Sequence, residues 1–489
     1  MPSILAVDIG TTSAKAFVIT QQGEVLASAR EFYPTLRPQP HFAEQNPEEI
    51  FHAVRKIIRI AAGKVNGRVR AVSFSSAMHS LMAVDESGEA LTPLILWADL
   101  RATAEAIQIK ASNSQKLYEE TGTPIHPMSP LCKILWLKNN QPEIFGRTSK
   151  FIGIKEYVWF RIFGEYAVDH SVASATGLFN AATKSWSPSA LITAGISAHH
   201  LSTPCSVYKA FTRTEHYFNE LGIHTEIPWI IGASDGCLAN LGSGAMDANT
   251  LSLTIGTSGA VRKTVKVNSP DSLGRTFHYL LDEDTLITGG ATNNGAVLIQ
   301  WYSENFLKEK ISIKSFGERA ASVMAGSEGL IFLPFILGER APVFDPESAG
   351  VFFGIRYHHR VEHFMRAILE GIGFALFSIA EIVERNSGGY ERVMASGGFL
   401  ESPQWVQIIA DIFGKEVHVQ ASEDASAIGA ALLGFKGLKI DSHFLFPTEK
   451  VYRPEKTAHH EYKKYYAVYK NLYPHLSSDF HQLNKINKS

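Results

Sequence analysis

The chain has 489 residues, 45% of them hydrophobic and 19% charged, with 46 Lys and Arg against 48 Asp and Glu. That length exceeds what one core holds, so two large domains are expected. A formal net charge of −2 excludes the basic field of a nucleic-acid or anionic-membrane binder.

Ile4 to Val7 is an apolar run that leads into Asp8, and Ala14 to Ile19 is a second one. The bend between them, Gly10-Thr11-Thr12-Ser13, makes the pair a β-hairpin. The bend has no large side chain. Its N–H groups and three hydroxyls can converge on one oxyanion, as a phosphate cradle requires. Asp8 is a hard oxygen donor suited to Mg²⁺, directly or through water, and Lys15 adds a point charge. By themselves, such features also occur in ordinary hairpins. The opening has no basic n-region, so no signal peptide is expected.

Gln21 to Glu24 turns the chain into a third strand, Val25 to Ala29, which completes an antiparallel meander. Tyr33 to Gln45 reads as a Pro-rich loop. Asn46 and Pro47 start an amphipathic helix with Ile50, Val54, Ile57, Ile58 and Ala61 on one face. Val69 to Phe74 is a buried strand ending in Ser75-Ser76-Ala77-Met78-His79-Ser80. Leu81 to Val84 and Leu94 to Trp97 follow as strands, the latter running into Asp99 and Arg101.

Polar groups just past the carboxyl end of a sheet strand lie where α/β proteins bind ligands. That placement makes Met78, His79, Asp99 and Arg101 candidates. Asp99 can accept from hydroxyls, and Arg101 can donate two parallel bonds to a carboxylate. Taken alone, a lone His is more often structural and a lone Arg more often a solvated charge. Trp136, at helical spacing from Lys133, reads as packing, and Lys155-Glu156 opens another amphipathic stretch.

The apolar run Trp229-Ile230-Ile231 enters Gly232-Ala233-Ser234-Asp235-Gly236. Small neighbours hold this Asp rigidly and leave room for a substrate; the plainer reading is a turn Asp stabilising its own loop. The stretch Gly242 to Asn249 lacks periodicity and marks the domain boundary, giving domains 1–243 and 244–489.

Leu251 to Lys263 then repeats the opening pattern: a strand, a Gly256-Thr257-Ser258-Gly259 bend and a strand leaving with basic residues. Two phosphate hairpins half a chain apart imply a duplicated α/β domain clamping a nucleotide. Gly289 to Gly295 is a close-approach loop at that nucleotide, leading into an apolar helix near Trp301. Leu330 to Leu337 is a buried strand, too short to span a bilayer, before Gly338-Glu339-Arg340-Ala341-Pro342, an interdomain loop. A long helix over Glu362 to Glu384 contains Gly371 and Gly373, which implies close backbone packing. Its apolar stretch, Ile368 to Val383, is interrupted by Glu370 and Glu381. Val393 to Ala395 enters Ser396-Gly397-Gly398, and Ser402-Pro403 caps the next helix. Ala425 to Leu433 reads as a tightly packed helix. The Tyr-rich end reads as a surface-packed helix with a frayed tail. Cys132, Cys205 and Cys237 show no metal or redox spacing and read as reduced, buried thiols of a cytoplasmic protein. The paired histidines at 199–200, 358–359 and 459–460 are assigned no metal.

The paired hairpins resemble the actin, Hsp70 and sugar-kinase superfamily. Met128-Ser129-Pro130-Leu131-Cys132-Lys133-Ile134-Leu135-Trp136 and the Gly350 to Glu370 stretch resemble the two signatures of the FGGY carbohydrate kinases. The resemblance spans almost the whole chain. It implies two ribonuclease H-like domains of the actin/hexokinase/Hsp70 type with a deep cleft between them, and an ATP- and Mg²⁺-dependent kinase of small polyols. On this resemblance Asp235 is the catalytic base, with Met78, His79, Asp99, Arg101 and Gly236 against the sugar. Thr11, Thr12, Ser13, Lys15, Gly256, Thr257, Gly295, Gly397, Gly398 and Ser402 serve the nucleotide, and Asp8 the metal. The stretches Ala77 to Asp85 and Thr123 to Pro130 resemble the gluconate-phosphorylating branch, where Arg101 and Lys155 offer positive groups for a carboxylate. Xylulose kinases come next, then glycerol kinases. A homodimer is implied only by analogy. An actin- or Hsp70-like ATPase and a non-catalytic sugar sensor are the rival classes. The Met-His loop, the Gly-Ala-Ser-Asp-Gly stretch and both signatures argue against the first. The presence of Asp8 and Asp235 argues against the second.

Overall fold

In the computed structural model, which describes residues 1–65, 69–212, 221, 223, 226–267, 270–420 and 424–488, the opening meander is Ser3–Ile9 (β1), Ser13–Thr20 (β2) and Val25–Phe32 (β3). Every residue of β1 is buried, as expected for a strand covered on both faces. Val69–Ser76 (β4) pairs parallel with β1, Ala210–Phe211 (β5) pairs antiparallel with Trp229–Ser234 (β6), and β6 pairs parallel with β4. The sheet order is β5-β6-β4-β1-β2-β3. The helix Pro47–Gly63 starts as its sequence requires: the Glu48 N–H donates to the Asn46 side chain at 2.9 Å and Pro47 fills the first position. Its buried face is Ile50, Phe51, Val54, Ile57, Ile58 and Ala61.

A second sheet repeats this plan. Thr250–Ile255 (β7) and Gly259–Val265 (β8) form the second hairpin, and Leu286–Thr292 (β9), Arg392–Ser396 (β10), Glu416–Gln420 (β11) and Thr448–Tyr452 (β12) extend it in the order β9-β8-β7-β10-β11-β12. As in the first sheet, the leading strand pairs antiparallel with its hairpin partner and parallel with the strand beyond. The duplication inferred from two bends is thus a duplicated mixed sheet.

The chain divides into two compact units, and the division is not a single cut near residue 243. The first unit holds Met1–Gly244, Val265–Ile287 and Asp424–Phe446; the second holds Ala245–Thr264, Thr288–Glu423 and Pro447–Ser489. The late segment returns to the first unit because the helix Ala425–Gly437 packs on the helix Asp235–Gly242. A Cβ on Gly242 would lie 1.8 Å from the Ala425 carbonyl oxygen, and one on Gly429 2.0 Å from that of Leu238. The core below β4 and β6 is aromatic, with Phe74 5.3 Å from Trp159 edge-on and stacked 5.9 Å from Trp229.

In the second unit the long helix covers Val361–Ser387. Gly371 makes the expected backbone approach, to the Phe332 carbonyl. Two expectations are corrected. The strand read as Leu330 to Leu337 covers only Ile331–Leu333, because Pro334 has no N–H to continue a ladder. Among the described residues the last segment is one helix, Lys456–Lys488, and Tyr462, Tyr466 and Tyr469 lie buried against Phe374. Among the described residues, no helix is long and apolar enough to cross a membrane.

That last helix is locked by buried charge. Arg366 Nε donates to Glu370 Oε1 at 2.7 Å and its Nη2 to the Tyr462 hydroxyl, which in turn donates to Glu370 Oε1 at 2.9 Å. Arg366→Met leaves Glu370 as an uncompensated buried carboxylate. It is expected to destabilise the second unit by about 3–5 kcal/mol, read by calorimetry as a lower melting temperature. An unchanged melting temperature would show that the network adds no stability.

Candidate active site

Strands β1, β4 and β6 run parallel, so their carboxyl ends share one sheet edge. Asp8 is in register with Ser75, and Ser75 with Ala233. Two strand spacings therefore separate the Asp8 and Ala233 positions, roughly 10 Å, and Asp235 follows two residues beyond. The helix it opens, Asp235–Gly242, has Ser234 as N-cap. The Gly236 N–H donates to Asp235 Oδ1 at 2.6 Å. Both sequence-designated aspartates are thus brought to one edge of the first unit.

Asp8 is only 6% exposed. Ser75 Oγ donates to its Oδ1 at 2.6 Å and Ser426 Oγ to its Oδ2 at 3.0 Å. Burial raises its pKa above the ordinary carboxylate value, while the two hydroxyls and Lys15 oppose that rise. Lys15 lies across the hairpin from Asp8 and is ion-paired with Asp424. In the bend, Trp97 Nε1 donates to Thr11 Oγ1 at 2.9 Å and Gln45 Nε2 to the Thr11 carbonyl at 2.6 Å. The Thr11 hydroxyl keeps its own hydrogen to donate. Thr12 is exposed, whereas Ser13 opens β2 and is buried. Among the described residues no three metal-type side chains gather. Asp8 is a single buried carboxylate, the donor set of a Mg²⁺ that keeps waters and phosphate oxygens.

Met78 and His79 follow β4, and the Ala77 N–H donates to the Ile9 carbonyl at 2.8 Å. His79 has a left-handed φ of 65°. Its Nδ1 donates to the Ala175 carbonyl at 2.8 Å, and its ring meets Tyr279 edge-on at 5.7 Å. Lys133, fully buried, donates from Nζ to the carbonyls of His79 at 2.6 Å and Leu96 at 2.7 Å. Burial pulls its pKa down to about 7. The lysine of the first signature therefore ties the Met78-His79 loop to the loop that carries Asp99.

Arg101 and Lys155 differ from expectation. The Arg101 fork already grips Asp99, from Nε to Oδ1 at 2.9 Å and from Nη2 to Oδ2 at 2.7 Å, and Nη2 also donates to Glu44 Oε1 at 2.5 Å. The guanidinium lies 3.8 Å from the centre of the Phe42 ring. Asp99 is fully buried and also accepts from the Ala43 N–H at 2.7 Å. The parallel pair of bonds predicted for a bound carboxylate is internal, and only Nη1 takes no hydrogen bond among the described residues. Lys155 is 2% exposed and pairs with Asp169 at 2.6 Å. A substrate carboxylate cannot reach it without displacing that ion.

In the second unit the hairpin bend supports the loop behind it. The Gly295 N–H donates to the Thr257 carbonyl at 3.2 Å and the Ala296 N–H to that of Gly256 at 2.8 Å. Gly397 has φ +104°, and a Cβ there would lie 2.4 Å from the Ile255 carbonyl oxygen. A cavity of about 520 Å³ opens at this place, lined by Gly256, Thr257 and Gly398, by the apolar Val297, Ile299 and Ile311, and by Gln300, Ser303 and Lys310. An apolar lining with a few polar groups is the character of a small-molecule site. Gly295 sits behind this lining. Ser402 is not part of it: fully buried, it caps the helix Pro403–Phe413 by accepting from the Trp405 N–H at 3.2 Å.

Several working residues escaped the sequence reading. Ser75 stood in view in the Ser75-Ser76 pair, and a lysine within the apolar stretch Leu131 to Leu135 was a usable sign of Lys133. Asp424 and Ser426 carried no local signal. Glu339 is fully buried, with its pKa pushed up to about 7 by burial. It accepts from Thr292 Oγ1 at 2.6 Å, the Asn293 N–H at 3.2 Å and Asn294 Nδ2 at 3.2 Å, and so shapes the loop leading to Gly295.

Comparison with known proteins agrees with this architecture. The N-terminal domain of the FGGY family of carbohydrate kinases matches residues 3–242 and its C-terminal domain residues 251–438. A gluconokinase of Bacillus subtilis (strain 168) is 41% identical over 453 residues, 90% of this chain and 88% of its own. A gluconate kinase structure from Lactobacillus acidophilus aligns with a TM-score of 0.94 at 33% identity over 99% of both chains. A ligand-bound xylulose kinase from the same organism aligns with a TM-score of 0.93 at 33% identity, over 99% of this chain and 100% of its own.

The burial of Asp8 has a pH signature. Its folded pKa is raised above the ordinary 3.8, so between the unfolded and folded values the native state binds more protons than the unfolded chain. The carboxylate thus opposes folding at neutral pH, and that cost disappears as pH falls through the folded and then the unfolded value. Asp8→Asn is expected to raise the melting temperature by a few degrees at pH 8 and to match wild type near pH 3.5, in metal-free buffer. A variant less stable than wild type at pH 8 would contradict this.

Proposed function

The chain belongs to the FGGY family of carbohydrate kinases, and from that premise we propose that it transfers the γ-phosphoryl group of ATP to D-gluconate, giving 6-phospho-D-gluconate. The broader reaction, ATP-dependent phosphorylation of a sugar or sugar acid, follows from the family. The observation that carries the proposal is the pair Asp8 and Asp235 at the shared carboxyl edge of β1, β4 and β6. One carboxylate serves charge on the phosphates, and the other serves the attacking hydroxyl.

Asp235 takes the proton of the acceptor hydroxyl as that oxygen bonds to the γ-phosphorus. The bond from phosphorus to the bridging oxygen breaks, and ADP leaves. Thr11, Thr12, Ser13 and Lys15 of the first hairpin serve phosphate oxygens, and Gly256 and Thr257 of the second line the nucleotide cavity of the second unit. Gly398 lies against the base, with Gly397 and Gly295 shaping the backbone there and Ser402 holding the next helix. Mg²⁺ on Asp8 would neutralise phosphate charge. Such transfer needs positioning and charge stabilisation more than covalent chemistry. Met78, His79 and Gly236 contact the acceptor, and Asp99 acts through Arg101, whose Nη1 meets the acceptor's carboxylate. The similarity to a gluconokinase at 41% identity and the Ala77–Asp85 and Thr123–Pro130 stretches support gluconate. Xylulose is the second reading, because a xylulose kinase aligns almost as well as a gluconate kinase. Three free, buried cysteines suit a cytoplasmic enzyme.

ADP release in a coupled assay with Mg²⁺ and ATP should be strong with gluconate and at the blank level with xylulose, ribulose and glycerol. Turnover on xylulose instead would keep the mechanism and overturn the substrate. Asp235→Asn is expected to lower kcat by roughly 10²–10⁴-fold, the usual size of a lost general base. A folded Asp235→Asn enzyme with wild-type kcat would refute the base assignment.

A further inference from the structure

We propose that Lys155, Asp169 and Ser171 form a cradle that fixes the strand end carrying Asp235, and that they are positioning residues for phosphoryl transfer; this rests on Asp235 as the base. The strand itself cannot hold Asp235 in place by regular pairing. Between Ile230 and Ala233 its register with β4 shifts: Ile230 opposes Ser73, but Ala233 opposes Ser75, so β6 carries one extra residue. The bulge centres on Gly232, which has φ +73°, and a Cβ there would lie 1.7 Å from the Phe74 carbonyl oxygen. The N–H groups of Ile231 and Gly232 donate to the carbonyls of Lys209 at 3.1 Å and Val207 at 3.2 Å.

Buried carbonyls at a bulge need donors from elsewhere. Lys155 Nζ supplies them, donating to the Ile231 carbonyl at 3.2 Å and the Ala233 carbonyl at 3.0 Å. Its third partner is Asp169 Oδ2 at 2.6 Å. Asp169 Oδ1 accepts from the Val172 N–H at 2.8 Å and so caps the helix His170–Ser174. From that helix Ser171 Oγ accepts from the Ser234 N–H at 3.2 Å and lies 2.9 Å from Ser234 Oγ. The bulge and the residue just before Asp235 are therefore held from one side by a single linked group. Buried ion pairs seldom stabilise more than apolar replacements of the same volume. A pair placed on two bulge carbonyls, two residues from the base, is suited to precision rather than stability.

The test is the double substitution Lys155→Met/Asp169→Asn, which removes both charges together and leaves an amide able to cap the helix. Made in the full-length enzyme, it is expected to lower kcat by roughly 10²-fold, the cost of a small misplacement of a reacting group, while KM for ATP and for the sugar stays within about twofold of wild type. Combined with Asp235→Asn, it should add almost no further loss, because both changes disable the same group. A kcat within about twofold of wild type, or an equal fractional loss with and without Asp235→Asn, would overturn the cradle. If the double variant does not fold, Ser171→Ala carries the test, with a several-fold fall in kcat at unchanged KM expected and wild-type kcat overturning it. Wild-type turnover of Asp235→Asn alone would overturn the base assignment, and the cradle with it. Loss in Asp235→Asn but none in Lys155→Met/Asp169→Asn would overturn the cradle alone.

Discussion

Parallel pairing at β1, β4 and β6 is the constraint on which the first unit depends. Parallel strands end on the same side, so polar residues at their carboxyl ends accumulate along one edge. Asp8, Ser75 and the approach to Asp235 are neighbours for this reason. The same register buries Asp8 between two serine hydroxyls, so the carboxylate is desolvated yet hydrogen-bonded.

Around that edge the long cations point inward. Lys133 closes on the carbonyls of two loops, Lys155 on a bulge, and Arg101 on Asp99. In the second unit Lys263 does the same for the end of the helix Val361–Ser387, donating to the carbonyls of Ser387 at 3.0 Å, Gly388 at 2.5 Å and Gly389 at 2.9 Å. Each charge meets backbone acceptors or a counter-ion, as burial requires. The second unit adds a buried acid that does the converse. Glu339 collects donors from the loop over Thr292 to Asn294. These groups impose geometry on loops that lack ladder bonds of their own.

Legibility in the sequence followed the range of the interaction. The hairpins, the Asn46 cap and the helix behind it were readable because their causes lie within a few residues. Repetition of the Gly-Thr bend exposed the duplicated sheet for the same reason. Arg101 reads as a free fork in the sequence because an arginine near a strand end looks available until its counter-ions are known, and one of them, Glu44, is 57 residues away. Ser402 was readable as a cap but not as standing apart from the cavity. Ser426, which binds Asp8 across 418 residues, left no local trace.

The sequence alone determined the two Gly-Thr bends, the duplication they imply, Asp8 and Asp235 as the carboxylates at strand ends, and the family signatures. These depend on short-range rules of turns, caps and periodicity, which act before any tertiary contact forms. Only the tertiary structure decided which charges face inward and which segments complete each unit. It returned Asp424–Phe446 to the first unit, closed Arg101 on Glu44, and set Lys155 beneath the strand that ends at Asp235. Such pairings arise when distant strands and helices pack. Their physical cause is the need of every buried charge and carbonyl for a partner, and that partner can lie anywhere along the chain.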